Sequence, residues 1–312
     1  MDLRQLTTLV AIADHGSFSA AARALYTVQS NVSGHIARLE KELGVVLVDR
    51  QRGGLTDEGV MVVERARRVL HELDDITAEM AALGDEVRGD CRLGVLGTTA
   101  RWLLPTLLTH LERQHPGVHV TVHEGNTTGL IPRLVAQHLD AAIVHLPVDD
   151  PELVAEPLFA EDLVLLVHTR HHLAEHDILP ITALAGEPLM LPPLGAALRR
   201  VIDRAASAAG VELLPQVEID GVRLLTSLAF EGYGAAIVPA TSVPRWLKGD
   251  FKRVAVPELP RRVVAWVQRG RPKPGAPTRA LQAVLREVIA IQGQKQPGVH
   301  VGADAFPLGR SV

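Results

Sequence analysis

The chain of 312 residues carries 32 Lys/Arg against 36 Asp/Glu, a net charge of −4, and is 47% hydrophobic with only 3% aromatic residues. That length accommodates two or three domains, and no apolar run approaches a membrane span, which excludes an integral helical membrane protein. One cysteine excludes a disulfide framework, and the slightly acidic balance argues against a protein that holds nucleic acid by bulk charge. The chain enters its first domain directly after Asp2 without a signal-peptide layout, so a cytoplasmic location is expected.

From Ser17 to Gly44 the pattern predicts two short helices joined by a tight turn. Ala20, Ala21, Ala24 and Leu25 give the first a small apolar face. In the second, Val28, Val32, Ile36, Leu39 and Leu43 recur with the period of an amphipathic helix. Its opposite face carries Ser30, Ser33, Gly34, Ala37, Arg38 and Lys41, short or cationic side chains that permit close approach to another surface. A helical hairpin buried in a larger core would show the same periodicity. The stretch that follows, Leu47 to Thr56, favours a different reading. It is a basic, glycine-containing turn suited to a wing, with Arg50 and Arg52 placed to contact phosphates without reading sequence. The first sixty residues hold six Lys/Arg against seven Asp/Glu. Charge placement rather than total charge would therefore carry DNA binding.

Residues 1–60 resemble the winged helix-turn-helix of the LysR-type transcriptional regulators. The likeness rests on residues 3–18 (LRQLTTLVAIADHGSF), Ala21-Ala22, Leu25, Gln29, Val32-Ser33, Ile36, Leu39-Glu40, Leu43-Gly44, Leu47, Arg50, Leu55-Thr56 and Gly59. The resemblance implies that Gln29, Ser30, Ser33 and Arg38 face the major groove of double-stranded DNA, with Arg50 and Arg52 on the backbone. Three positions depart from the family pattern. Val28 replaces a capping Ser or Thr, Gly34 replaces a frequent Arg, and Val48 replaces a common Phe.

After Thr56, Val62, Ala66, Val69, Leu73, Ile76 and Met80 alternate in steps of four and three, a coiled-coil seam flanked by charges. Residues 61–89 are therefore expected to form a dimerising linker helix. The alternative is a helix packed on its own domain.

From Cys91 onward short apolar strands alternate with helical stretches at about 102–114, 128–139, 196–209 and 222–231, the pattern of parallel sheets flanked by helices. Crossings near 160–165 and 265 predict two lobes, one from about 90–161 and 266–291, the other from about 162–265. HLDAAIVH and AFEGYGAAIVP resemble the effector-binding region of the same family, which is built like a periplasmic binding protein. Ligands of such folds lie at strand ends and helix N-termini, where free N–H groups favour anions. Thr98, Thr99, Thr127 and Thr128 are candidate effector contacts, with helix capping as their alternative role. Leu146 marks a crossover beside the cleft, and Pro193 a plausible opposing wall.

Several signals are set aside. His168, His171, His172 and His176 lack a thiolate or acid to complete a metal site, so no metal and no cofactor is expected. Cys91 has no resolving partner and reads as a buried strand residue. Residues 292–312, rich in Gly and Pro, are expected to be mostly disordered.

The α/β architecture expected is thus an N-terminal winged helix-turn-helix, a long linker helix and a two-lobed, periplasmic-binding-protein-like effector domain. The function expected is sequence-specific transcriptional regulation by a self-associating dimer or tetramer, modulated by a small, anionic effector, without enzymatic activity. The competing reading is a cytoplasmic solute-binding protein.

Overall fold

The computed structural model describes residues 1–49, 54–82, 86–302 and 305–306. The chain divides into two compact units, Met1–Asp85 and Glu86–Val312.

The first unit begins with α1 (Leu3–His15), whose start is fixed by a reciprocal capping box between Asp2 and Gln5 and whose end is Gly16 in the left-handed region. Ser17 caps α2 (Phe18–Ala24) by accepting from the Ala20 N–H. α3 (Gln29–Leu43) buries Val32, Ile36 and Leu39 against Leu9, Ile12, Ala21 and Leu47, so the apolar stripe read from the sequence is the core stripe. β1 (Val48–Asp49) and β2 (Gly54–Leu55) pair antiparallel as a small wing. Glu40 Oε1 accepts from the Leu47 and Val48 N–H groups at 2.9 and 3.2 Å, tying α3 to the wing. Arg50 and Arg52 lie outside the described residues.

α4 (Asp57–Ala82) follows, with Thr56 Oγ1 accepting from the Gly59 N–H. A Cβ at Gly59 would stand 2.0 Å from the Leu47 carbonyl oxygen, so only glycine lets the helix start so close to the wing. The first turns of α4 pack on the helix-turn-helix. Val62 is partly buried there, and Ala66, expected in an intermolecular seam, is sealed at 2% exposure in its own domain. Farther along, Val69, Leu73, Ile76 and Met80 are exposed.

In the second unit, lobe I contains β3 (Arg88–Leu96), α5 (Gly97–Gln114), β4 (Gly117–Gly125), α6 (Thr127–Val135), β5 (Ala141–His145) and β6 (Leu153–Glu161). Lobe II contains β7 (Leu163–His168), β8 (Pro188–Leu191), α7 (Ala197–Ala208), β9 (Leu214–Glu218), α8 (Val222–Phe230), β10 (Ala235–Pro239) and β11 (Phe251–Ala255). The chain returns to lobe I through β12 (Arg262–Arg269), α9 (Ala276–Gln292) and β13 (Val299–His300). Strand orders are β13-β6-β12-β5-β3-β4 and β11-β7-β10-β8-β9. Leu93, Leu107, Phe159, Trp266 and Leu285 centre one core, and Leu165, Leu189, Ile202 and Ile237 the other.

The sheets are mixed rather than parallel. β3 runs parallel to β4 and β5, and β8 to β9 and β10. The strands that carry the chain between lobes, β6, β7 and β12, pair antiparallel. Because β12 begins at Arg262 within lobe I, lobe II ends near 261 rather than 265.

Residues 293–300 are structured where disorder was expected, and residues 303–304 and 307–312 of that tail lie outside the described residues. A 3-10 turn, Gly293–Lys295, leads into β13, which adds to the edge of β6 and places Val299 in the lobe I core. The Asp162 N–H donates to the Gly298 carbonyl at 2.8 Å, and His300 Nε2 stands 3.0 Å from both Asp162 carboxylate oxygens. An open strand edge and an unfilled core position offered this Gly/Pro-rich segment partners that composition does not reveal. Among the described residues no helix is long and apolar enough to cross a membrane.

Candidate DNA interface and effector cavity

The outward face of α3 presents Gln29, Ser30, Asn31, Ala37, Arg38 and Lys41, with Ser33, Gly34 and His35 half-buried beside them. Ser19 Oγ donates to Gln29 Oε1 at 3.0 Å, which fixes the amide and leaves its N–H2 group as the outward donor. Arg38 donates to His35 Nδ1 at 3.1 Å. Val28 occupies the N-cap with extended backbone and no side-chain cap, and the nearby Thr27 hydroxyl instead accepts from Asn31 Nδ2 at 3.0 Å. The first N–H groups of α3 therefore remain open for water or phosphate. Tyr26, with φ 51° and 98% exposed in the turn before α3, is a further surface donor that apolar periodicity could not single out.

In the second unit a cavity of about 560 Å³ opens between the two lobes. Four helix N-termini converge on it. Leu96, Gly97 and Thr98 come from the start of α5, and Asn126, Thr127 and Gly129 from α6. Ala196, Ala197 and Leu198 come from α7, and Gly221, Val222 and Arg223 from α8. α5, α7 and α8 have no side-chain cap, whereas Asn126 Oδ1 caps α6 by accepting from the Gly129 N–H at 2.8 Å. Aligned peptide dipoles place partial positive charge at each of these ends.

The side chains in the wall form two sets. Arg262, 3% exposed, donates to Thr98 Oγ1 at 2.8 Å and pairs with fully buried Glu161 at 2.6 Å. Glu161 Oε1 also accepts from the Thr241 N–H at 2.7 Å. The Thr98 oxygen is thus used as an acceptor, and its proton is free to donate. The backbone N–H of His145 donates to Thr127 Oγ1 at 3.2 Å, which orients that hydroxyl in the same way. Burial first, then the Arg262 charge, pushes the His145 imidazole down to about 4. It is therefore neutral near pH 7, and because a carbonyl only accepts, the ring donates from Nδ1 to the Leu146 oxygen at 3.3 Å. Nε2 is left as an acceptor.

The second set links the lobes. Glu124 of lobe I pairs with Arg223 of lobe II at 2.7 Å, and Asn126 Nδ2 donates to Asp220 at 2.6 Å. Thr128 Oγ1 accepts from the Ala197 N–H at 3.3 Å.

Of the residues singled out in the sequence, Thr98 and Thr127 line the cavity. Thr99 does not. One residue on, the helix has turned about 100°, and its hydroxyl is buried without a partner. Thr128 joins the lobes rather than lining the wall. Leu146 lies behind His145 with its N–H bonded to the Val263 carbonyl, and Pro192, not Pro193, reaches the cavity. Trp102 packs edge-on against Phe159 in lobe I. His145, Glu124, Asp220, Arg223 and Arg262 were not legible as site residues, because segments far apart in the chain bring them together at the cavity.

A winged helix-turn-helix on one unit and a two-lobed cavity in the other define a ligand-responsive transcriptional regulator. Two family profiles match the chain. One, described as "Bacterial regulatory helix-turn-helix protein, lysR family", covers residues 3–60, and "LysR substrate binding domain" covers 84–290. The chain belongs to the LysR family of DNA-binding transcriptional regulators. It is 31% identical over 294 residues to the DNA-binding transcriptional dual regulator OxyR of Escherichia coli, spanning 93% of this chain and 95% of that protein. A probable hydrogen peroxide-inducible genes activator of Mycobacterium avium is 32% identical over 296 residues, covering 93% and 94%. Among solved structures, a full-length OxyR variant of Pseudomonas aeruginosa has a TM-score of 0.71 at 24% identity, covering 94% and 95%. Full-length CbnR in complex with its target DNA has a TM-score of 0.70 at 24% identity, covering 92% and 100%. The effector-binding domain of QuiR in complex with shikimate has a TM-score of 0.60 at 19% identity, covering 64% and 96%.

Proposed function

We propose that this regulator responds to a small organic anion held in the interlobe cavity. The convergence of four helix N-termini carries this reading. The wall's arginines are matched, Arg223 by Glu124 and Arg262 by Glu161, and Asp220 accepts from Asn126. The peptide N–H groups and the Thr98 and Thr127 hydroxyls therefore supply the anion preference, while His145 Nε2 offers an acceptor for an effector hydroxyl. A hydroxylated carboxylate of the size class of shikimate, the ligand of QuiR, fits this inventory. The peroxide response named for the curated relatives fits poorly, because the chain's single cysteine, Cys91, is buried in β3 and cannot form an intrachain disulfide.

The operator would be read by Gln29, Ser30, Ser33 and Arg38 of α3, with Arg50 and Arg52 contacting phosphates, in a dimer or tetramer joined through the exposed apolar residues of α4. This activity is non-enzymatic and belongs where the DNA is, in the cytoplasm. The test is a footprint on the DNA upstream of its own gene, with and without a panel of small carboxylates and the matching amides. Carboxylates that shift the footprint while their amides do not support the reading, and an equal response to both removes it. Gln29→Ala is expected to lower specific affinity by about 1–3 kcal/mol if the amide contacts a base.

A further inference from the structure

His171, His172 and Glu187 meet on lobe II, with one possible ligand atom from each lying within 4.8 Å of the others. The two imidazoles stack with centroids 4.6 Å apart and interplanar angle 24°. Both present Nε2 to the same carboxylate, His171 at 3.5 Å from Oε1 and His172 at 3.1 Å from Oε2. The histidine run by itself lacked an acid, and the fold supplies it from the residue just before β8. We propose that these three side chains form a binding site for a zinc-class divalent transition-metal ion.

The donor set is chemically suitable. Two neutral imidazoles and a carboxylate suit Zn(II), leaving the remaining position to water. Tetrahedral donors about 2.0–2.1 Å from the ion stand about 3.3 Å apart, close to the two spacings seen to Glu187. Glu187 is largely buried and meets the Nε2 edge of both rings, whereas His172 is open to solvent at 67% side-chain exposure, which gives the ion a route of entry. Coordination through His171 Nε2 puts the ring proton on Nδ1, so the 3.3 Å contact from the Leu173 N–H is given up. The long geometry of that contact makes it a weak competitor.

The bound ion would clip the 3-10 turn His172–Glu175 to the start of β8. None of the three residues lines the interlobe cavity. Without metal, the same groups form a pair of histidine–glutamate contacts, and the experiment separates the two roles.

The test is calorimetric titration of the untagged, full-length protein with Zn(II) alone near neutral pH, alongside thermal melting with and without Zn(II). The wild type is expected to bind one ion per chain at this site, more weakly as pH falls through the histidine range, and to melt higher with Zn(II) by mass action. Glu187→Gln and His172→Ala should each lower affinity about tenfold or more, since losing a ligand costs at least as much as losing an outer-shell partner. His119→Ala, on exposed β4, should leave binding unchanged. Metal-free melting controls for folding, and Glu187→Gln preserves the side chain's shape. If the Glu187→Gln and His172→Ala proteins bind Zn(II) with wild-type stoichiometry and affinity, or the wild type binds none, the proposal is overturned.

Discussion

Arg262 Nε donates to Glu161 Oε2 at 2.8 Å, and the two side chains, at 3% and 0% exposure, sit at the two places where the chain passes between lobes. Glu161 ends β6 as the chain leaves lobe I, and Arg262 opens β12 as it returns. One ion pair thus ties both crossovers together, and through Thr98 it reaches the cavity wall. Removing one partner leaves the other charged and buried. Arg262→Leu is therefore expected to destabilise the effector domain by about 3–5 kcal/mol. Chemical denaturation measures this, and a loss under 1 kcal/mol would mean that the pair is open to water.

The two adjacent threonines separate position from composition. Thr98→Val removes a hydroxyl in the cavity wall whose proton is free to donate, so a carboxylate effector should bind about 1–3 kcal/mol more weakly. Thr99→Val removes a buried hydroxyl that has no partner, so effector affinity should hold and stability should be unchanged or higher. Titrating both variants with a footprint-active carboxylate decides the matter. Equal losses would show that the wall is not the binding surface.

His145 makes stability depend on pH. Its folded-state value of about 4 lies below the ordinary 6.5, so the unfolded chain binds the proton more readily. The contribution is complete above about pH 6.5 and is lost as pH falls toward 4, amounting to about 3 kcal/mol over that window. His145→Gln is expected to flatten the stability profile there. Urea midpoints measured across the window provide the check, and an unchanged slope would place the titration elsewhere.

α4 offers a contrast along one helix. Ile76 and Met80 are 58% and 60% exposed, whereas Ala66 is buried against its own domain. Ile76→Asp and Met80→Asp should dissociate the dimer without unfolding it, because a charge buried in an interface without a partner is costly. Ala66→Asp should instead lower the melting temperature of the DNA-binding domain. Sedimentation together with circular dichroism distinguishes the two effects, and wild-type assembly in both surface variants would remove α4 as the interface.

The sequence by itself determined the helix-turn-helix, because Val32, Ile36 and Leu39 recur with the helical period and are the very residues that α3 buries. It also marked the long helix after Thr56, the two-lobe chain path, and Thr98 and Thr127 at helix starts, since periodicity, capping chemistry and strand–helix alternation are local signals. Tertiary structure decided what needed distant segments to meet. It turned Thr99 away from the cavity, buried Ala66 within its own chain, reversed β12 into a mixed sheet and gave residues 293–300 a strand edge to join. It also brought Glu161 to Arg262 and Glu187 to His171 and His172. A side chain's partner across the fold leaves no periodic trace in the chain, so charges and acids that look unpaired in sequence acquire their chemistry only when the lobes close around them.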